Sequence, residues 1–179
     1  MRTQEFLDKH YLRLAKEISN LSYAIRRKVG CIIVKDRQII SDGYNGTPKG
    51  FANICERAIC HNPEGPGCPG GKECFTCKHA ELVTLPYVLH AETNAITKVA
   101  KSNLSIEGST IYITDEPCFD CAKLIIQSGI KEVVYLSDKY NGTDANIASK
   151  KLFDTCGVKY RQLDEKSMKK IELDLGINQ

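Results

Sequence analysis

Between residues 3 and 21 the apolar side chains fall at Phe6, Leu7, Tyr11, Leu14, Ala15, Ile18 and Leu21. That spacing follows the 3.6-residue turn and predicts a helix with one buried face. The pattern then changes to apolar, β-branched residues over 29–34, a charged turn at 35–37 and a second extended run over 38–44, which together read as a β-hairpin. Further helices are predicted over 90–101, 118–128, 145–156 and 164–175, with Gly129 and Gly157 ending the second and third of these. Strands are predicted over 110–115, 132–136 and 158–162. Strand, helix, strand, helix, strand implies parallel pairing through right-handed crossovers. The expected fold is α/β, a three-layer α/β/α sandwich around a five-stranded mixed sheet, with residues 1–179 forming one domain.

Two stretches interrupt this regularity. Gly43-Tyr44-Asn45-Gly46 opens a glycine-rich loop that runs to Gly50, at the end of a predicted strand. Residues at about 51–89 show no clear period and carry Pro63, Pro66, Pro69 and five cysteines: Cys55, Cys60, Cys68, Cys74 and Cys77. A loop of that length reads as an insertion that needs a staple.

Composition narrows the function classes. A net charge of +3 is short of the basic balance of a dedicated nucleic-acid binder, and suits a small anionic substrate as well. No apolar run reaches the length of a membrane span, and the first residues lack the apolar core of a signal peptide, so a cytoplasmic protein is expected. In that compartment the nine cysteines stay reduced, which favours metal ligation over disulfides. Cys31 and Cys156 stand alone in apolar contexts and read as small buried hydrophobes.

The candidate chemistry lies in His90-Ala91-Glu92 and Pro117-Cys118-Phe119-Asp120-Cys121. Two cysteines three apart share one face of a helix's first turn, where the N-terminal N–H groups stabilise thiolates. With one imidazole they make three protein ligands, leaving tetrahedral zinc an open position for water, as a catalytic site requires. A closed structural site would need a fourth ligand, which Glu92 could supply. In the catalytic reading zinc lowers the pKa of its water to about 7, and the Glu92 carboxylate beside it can carry protons.

These two segments, with Val29-Gly30-Cys31-Ile32-Ile33-Val34, Gly43-Tyr44-Asn45-Gly46-Thr47-Pro48 and Gln127-Ser128-Gly129-Ile130, resemble the deoxycytidylate (dCMP) deaminase family, within the cytidine deaminase-like fold. The resemblance runs from about residue 29 to 160. It implies zinc-dependent conversion of dCMP to dUMP, with His90, Cys118 and Cys121 as zinc ligands and Glu92 as proton shuttle. It also implies a homo-oligomer, a hexamer in many members, with dCTP (with Mg²⁺) and dTTP as effectors. Asn45 matches an asparagine that holds the sugar 3′-hydroxyl; Tyr140 lies near a substrate-touching tyrosine, with the spacing off by about a residue. Arg26-Arg27-Lys28 is either a solvated charge run or a grip for the phosphate. Some members carry a second, structural zinc near the insertion, for which Cys55, Cys60, Cys74 and Cys77 are the expected ligands and Cys68 and His79 substitutes. The competing functions are a nucleic-acid editing deaminase, which shares the two motifs but wants aromatic residues on a basic stripe, and a non-catalytic zinc module, which has no use for Glu92.

Overall fold

In the computed structural model, which describes residues 2–62, 80–163 and Met168, the Thr3 hydroxyl accepts the Phe6 N–H and caps α1 (Gln4–Ser19). The strands and helices that follow are β1 (Gly30–Lys35), β2 (Gln38–Tyr44), β3 (Glu56–Cys60), β4 (Ala80–Thr84), α2 (Ala91–Val99), β5 (Thr110–Asp115), α3 (Phe119–Gln127), β6 (Glu132–Ser137), α4 (Asp144–Cys156) and β7 (Lys159–Gln162). Five strands form one sheet in the order β2-β1-β5-β6-β7. β1 runs antiparallel to β2 and β5, and β5, β6 and β7 are parallel, so the sheet is mixed as expected.

Both faces of the sheet are covered, which is why its central strands are apolar at successive positions. Ile32, Val34, Tyr112 and Val134 point to α1 and pack with Leu12. Cys31, Ile33, Ile111, Ile113 and Val133 point the other way, against Ala91 and Ala95 of α2, Ala122 and Ile125 of α3, and Phe153 of α4. This is the three-layer sandwich. α1 is further tied down through buried Asp8, which accepts from the Tyr112 hydroxyl at 2.7 Å and from the Arg161 guanidinium at 2.7 Å.

The seat of α2 depends on Gly43. A Cβ there would stand 2.2 Å from the Ala91 carbonyl oxygen and 2.7 Å from the Ala95 nitrogen, so only glycine lets the start of α2 lie on β2. The Ser41 hydroxyl donates to the Ala95 carbonyl and the Asn94 amide to the Tyr44 carbonyl, fixing the same contact.

Three expectations differ from the structure or fall outside it. The stretch expected to lack regular structure contains an antiparallel pair, with β3 and β4 in register from Glu56↔Thr84 to Cys60↔Ala80. Cys156 is exposed at the end of α4, whereas Cys31 is buried. The helix expected over 164–175 lies, apart from Met168, outside the described residues, as do Cys68, Cys74, Cys77 and His79.

Candidate active site

His90 and Cys118 occupy equivalent places. Each is the N-cap of a nine-residue helix, with extended backbone that turns its side chain back across the helix start. Cys121, one turn into α3, lies on the same side as Cys118. The three side chains meet: His90 Nδ1 is 3.4 Å from the Cys118 sulfur and 3.4 Å from the Cys121 sulfur. Bonds of about 2.3 Å to sulfur and about 2.0 Å to nitrogen, opened at the tetrahedral angle, give a nitrogen–sulfur edge of about 3.5 Å. The spacing therefore fits three corners of a zinc tetrahedron. Among the described residues these three are the one His/Cys/Asp/Glu group close enough to hold an ion.

The electrostatics agree with that fit. The Cys118 thiol is pushed down to about 4, chiefly by its hydrogen bond with Cys121 and then by that with His90. Cys121 moves up, because its proton is shared with the Cys118 sulfur and because it is buried. His90 rises to about 9, first through its hydrogen bond to Cys118. The cluster thus favours negative charge on the Cys118 sulfur and positive charge on the His90 ring. A divalent cation replaces the protons the cluster holds and leaves two thiolates and a neutral imidazole.

Glu92 sits two residues into the same turn as His90 and is 3% exposed. Burial pushes its carboxyl up to about 7. A carboxyl poised there takes up and releases a proton near neutral pH, as a general acid–base must. Ala91 between them is fully buried, against β2.

A cleft opens beside this cluster and receives Arg26, Arg27, Asn45, Tyr140, Glu92 and His90 on its walls. Asn45 is held by the wall it belongs to: Oδ1 accepts the Val29 N–H at 2.8 Å and Nδ2 donates to the Arg27 carbonyl at 2.9 Å. Of the three consecutive basic residues, Arg26 faces the cleft, Arg27 makes a two-pronged bond to the Asp115 carboxylate and reaches the Ser137 hydroxyl, and Lys28 lies in a separate groove beside α1, where it donates to the Asn20 carbonyl. Tyr140 is exposed at the mouth, with the Lys139 ammonium over its ring. Sequence reasoning passed over Lys139, Glu56, Thr84 and Asp115, which also line the cleft. The acidic residue ending β5 was a visible partner for an arginine; the other three belong to segments without periodicity.

Cys55 and Cys60 do not come together. The β3–β4 ladder extends to the Cys55 carbonyl, which accepts the Leu85 N–H, while Cys60 ends the strand. Five extended steps separate them by about 17 Å, too far for one ion. The set Cys55, Cys60, Cys74 and Cys77 is therefore not a single zinc site.

The cytidine and deoxycytidylate deaminase zinc-binding region matches residues 6–137. The chain belongs to the cytidine and deoxycytidylate deaminase family. Within it, the human deoxycytidylate deaminase is 37% identical over 139 residues, covering 78% of this chain and 68% of the human one. The deoxycytidylate deaminase of Enterobacteria phage T4 is 38% identical over 143 residues, 69% of this chain and 74% of that one. The crystal structure of dCMP deaminase from cyanophage S-TIM5 in complex with dCMP and dUMP is similar at a TM-score of 0.67 and 32% identity, covering 91% of this chain and all of that one. Among the described residues no helix of this family member is long and apolar enough to cross a membrane.

Proposed function

We propose that this chain deaminates dCMP to dUMP by zinc-dependent hydrolysis. The observation that carries the reading is the His90 imidazole standing 3.4 Å from both cysteine sulfurs, with the Glu92 carboxyl buried in the same helical turn. His90, Cys118 and Cys121 hold zinc, which when bound lowers the pKa of its water to about 7 and so supplies the nucleophile. Glu92 would take one proton from the attacking water and pass it to ring N3, then take the second from the hydroxyl now on C4 and pass it to the amino group, which departs as ammonia as the C4 carbonyl forms.

The other assignments follow from the walls of the cleft. The Asn45 amide keeps one lone pair and one N–H beyond its two backbone bonds, and these address the sugar 3′-hydroxyl. Arg26, with Lys139 at the mouth, meets the phosphate; Arg27 is engaged with Asp115, and Lys28 lies outside the cleft. Tyr140 covers the bound nucleotide. The curated relatives and the nucleotide complex of the cyanophage enzyme support this substrate. Thiolate ligands and a nucleotide substrate suit a reducing, cytoplasmic compartment. A second zinc takes at most one of Cys55 and Cys60.

The test is a panel of dCMP, deoxycytidine, CMP and dCTP as substrates, followed by loss of cytosine absorbance with the zinc-loaded protein. Preferential turnover of dCMP is expected; turnover of deoxycytidine as fast as dCMP refutes the nucleotide assignment. Adding dCTP with Mg²⁺, or dTTP, to the dCMP reaction tests effector control, and light scattering of the same sample tests the homo-oligomer.

A further inference from the structure

Glu56 and Thr84 face one another across the open end of the β3–β4 pair, at the end nearest the cleft. Glu56 is 4% exposed, a carboxylate at a strand position whose alternation wants an apolar side chain. Both of its oxygens are used: one accepts the Ile25 N–H at 3.1 Å, the other the Arg26 N–H at 3.2 Å. Across the ladder, the Thr84 hydroxyl accepts from the Arg26 guanidinium at 3.1 Å. The backbone and the side chain of one arginine are thus held by two facing residues of one hairpin. Asn45 grips the same segment from the other side, through Arg27 and Val29.

The geometry points to Glu56 and Thr84 as positioning residues that hold the Arg26 guanidinium ready for the substrate phosphate, making the stem of the cysteine-rich hairpin a determinant of nucleotide over nucleoside. The inference rests on the role of Arg26 proposed above. Arg26 is an exposed side chain, and an unrestrained arginine gives up rotamer freedom when it closes on an anion. Fixing its backbone and one guanidinium nitrogen beforehand removes part of that cost. Thr84 is a neutral acceptor, so it orients the cation without offsetting its charge. Glu56 meets backbone N–H groups, which spread its negative charge over two dipoles beside the phosphate path.

The experiment compares kcat/KM for dCMP with kcat/KM for deoxycytidine in four variants of the full, zinc-loaded chain: Arg26→Ala, Thr84→Val, Thr84→Ser and Glu56→Gln. Thr84→Val is expected to lower the dCMP-to-deoxycytidine ratio about three- to tenfold, the worth of one hydrogen bond, and to do so through KM for dCMP. Thr84→Ser keeps the acceptor and is expected to restore the ratio, which a purely structural role for the threonine methyl would not do. Glu56→Gln is expected to lower the ratio at least as far, since an amide cannot accept with both arms. If Arg26→Ala lowers the ratio while Thr84→Val and Glu56→Gln leave it at the wild-type value, the positioning role is overturned and Arg26 stands. If Arg26→Ala is itself silent, the phosphate assignment fails and the inference with it. Should Glu56→Gln not fold, the Thr84 pair decides alone.

Discussion

Replacing Gly43 by alanine tests whether the close seat of α2 on β2 keeps the zinc ligands in register. Cβ contacts under 3.0 Å essentially never occur, yet the new methyl would start 2.2 Å from the Ala91 carbonyl oxygen. The difference between 3.0 and 2.2 Å, about 0.8 Å, is the least that β2 and the first turn of α2 must yield between them. That turn carries Glu92 and is capped by His90. Metal sites tolerate ligand displacements of about 0.2 Å, so passing even about a quarter of that shift on to the imidazole takes it to the edge of what the site allows. Overpacking of this kind costs about 1–3 kcal/mol. For a chain of this size that lowers Tm by about 2–12 °C. Misplacement on the scale of an ångström costs about 10² in turnover. The measurements are zinc per chain and thermal unfolding of the purified variant. Gly46→Ala, in the loop that follows β2, is the control, since nothing lies within 4 Å of the methyl it would add, and it should behave as wild type. Gly43→Ala with wild-type zinc content and Tm would refute the argument.

Glu92→Gln should keep the metal and the fold while losing about 10² to 10⁴ in rate, and near-normal turnover removes Glu92 from the proton transfers. Arg26→Ala should raise KM for dCMP, whereas Lys28→Ala, in the groove beside α1, should leave it at the wild-type value; equal effects would mean that the two side chains share one anion. Cys118→Ser should lose the catalytic zinc, read by metal analysis. Of Cys55→Ser and Cys60→Ser, at most one should lower metal content, because Cys55 precedes β3 and Cys60 ends it; a loss of metal in both would contradict the ladder register.

The sheet was legible because its strands carry long β-branched runs and its helices end at glycines whose left-handed backbone marks the stop, as at Gly129 and Gly157. The metal ligands were legible for a different reason: a thiolate pair and an imidazole need helix starts, and Pro117 and the short HAE segment mark two of them. β3 and β4 were hidden because Glu56 occupies a buried position and charged Glu81 interrupts the partner strand, so neither shows a period of two. The fate of the basic run was hidden because charge alone does not say where a side chain finds its counter-ion. Arg27 finds Asp115, eighty-eight residues along the chain. Asn45 read as a sugar ligand, yet it is also a brace between the glycine-rich loop and the backbone of residues 27–29.

The β3–β4 pair has a working end and a far end. Glu56 and Thr84 meet at one, and Cys60 and Ala80 at the other, four ladder steps or about 13 Å away. The far end of the ladder therefore stands a fixed distance from the residues that meet Arg26. The hairpin thus works as a lever of fixed length: any change in how Cys60 and Ala80 are held at one end is carried through four rigid steps to the placement of Glu56 and Thr84 beside Arg26 at the other.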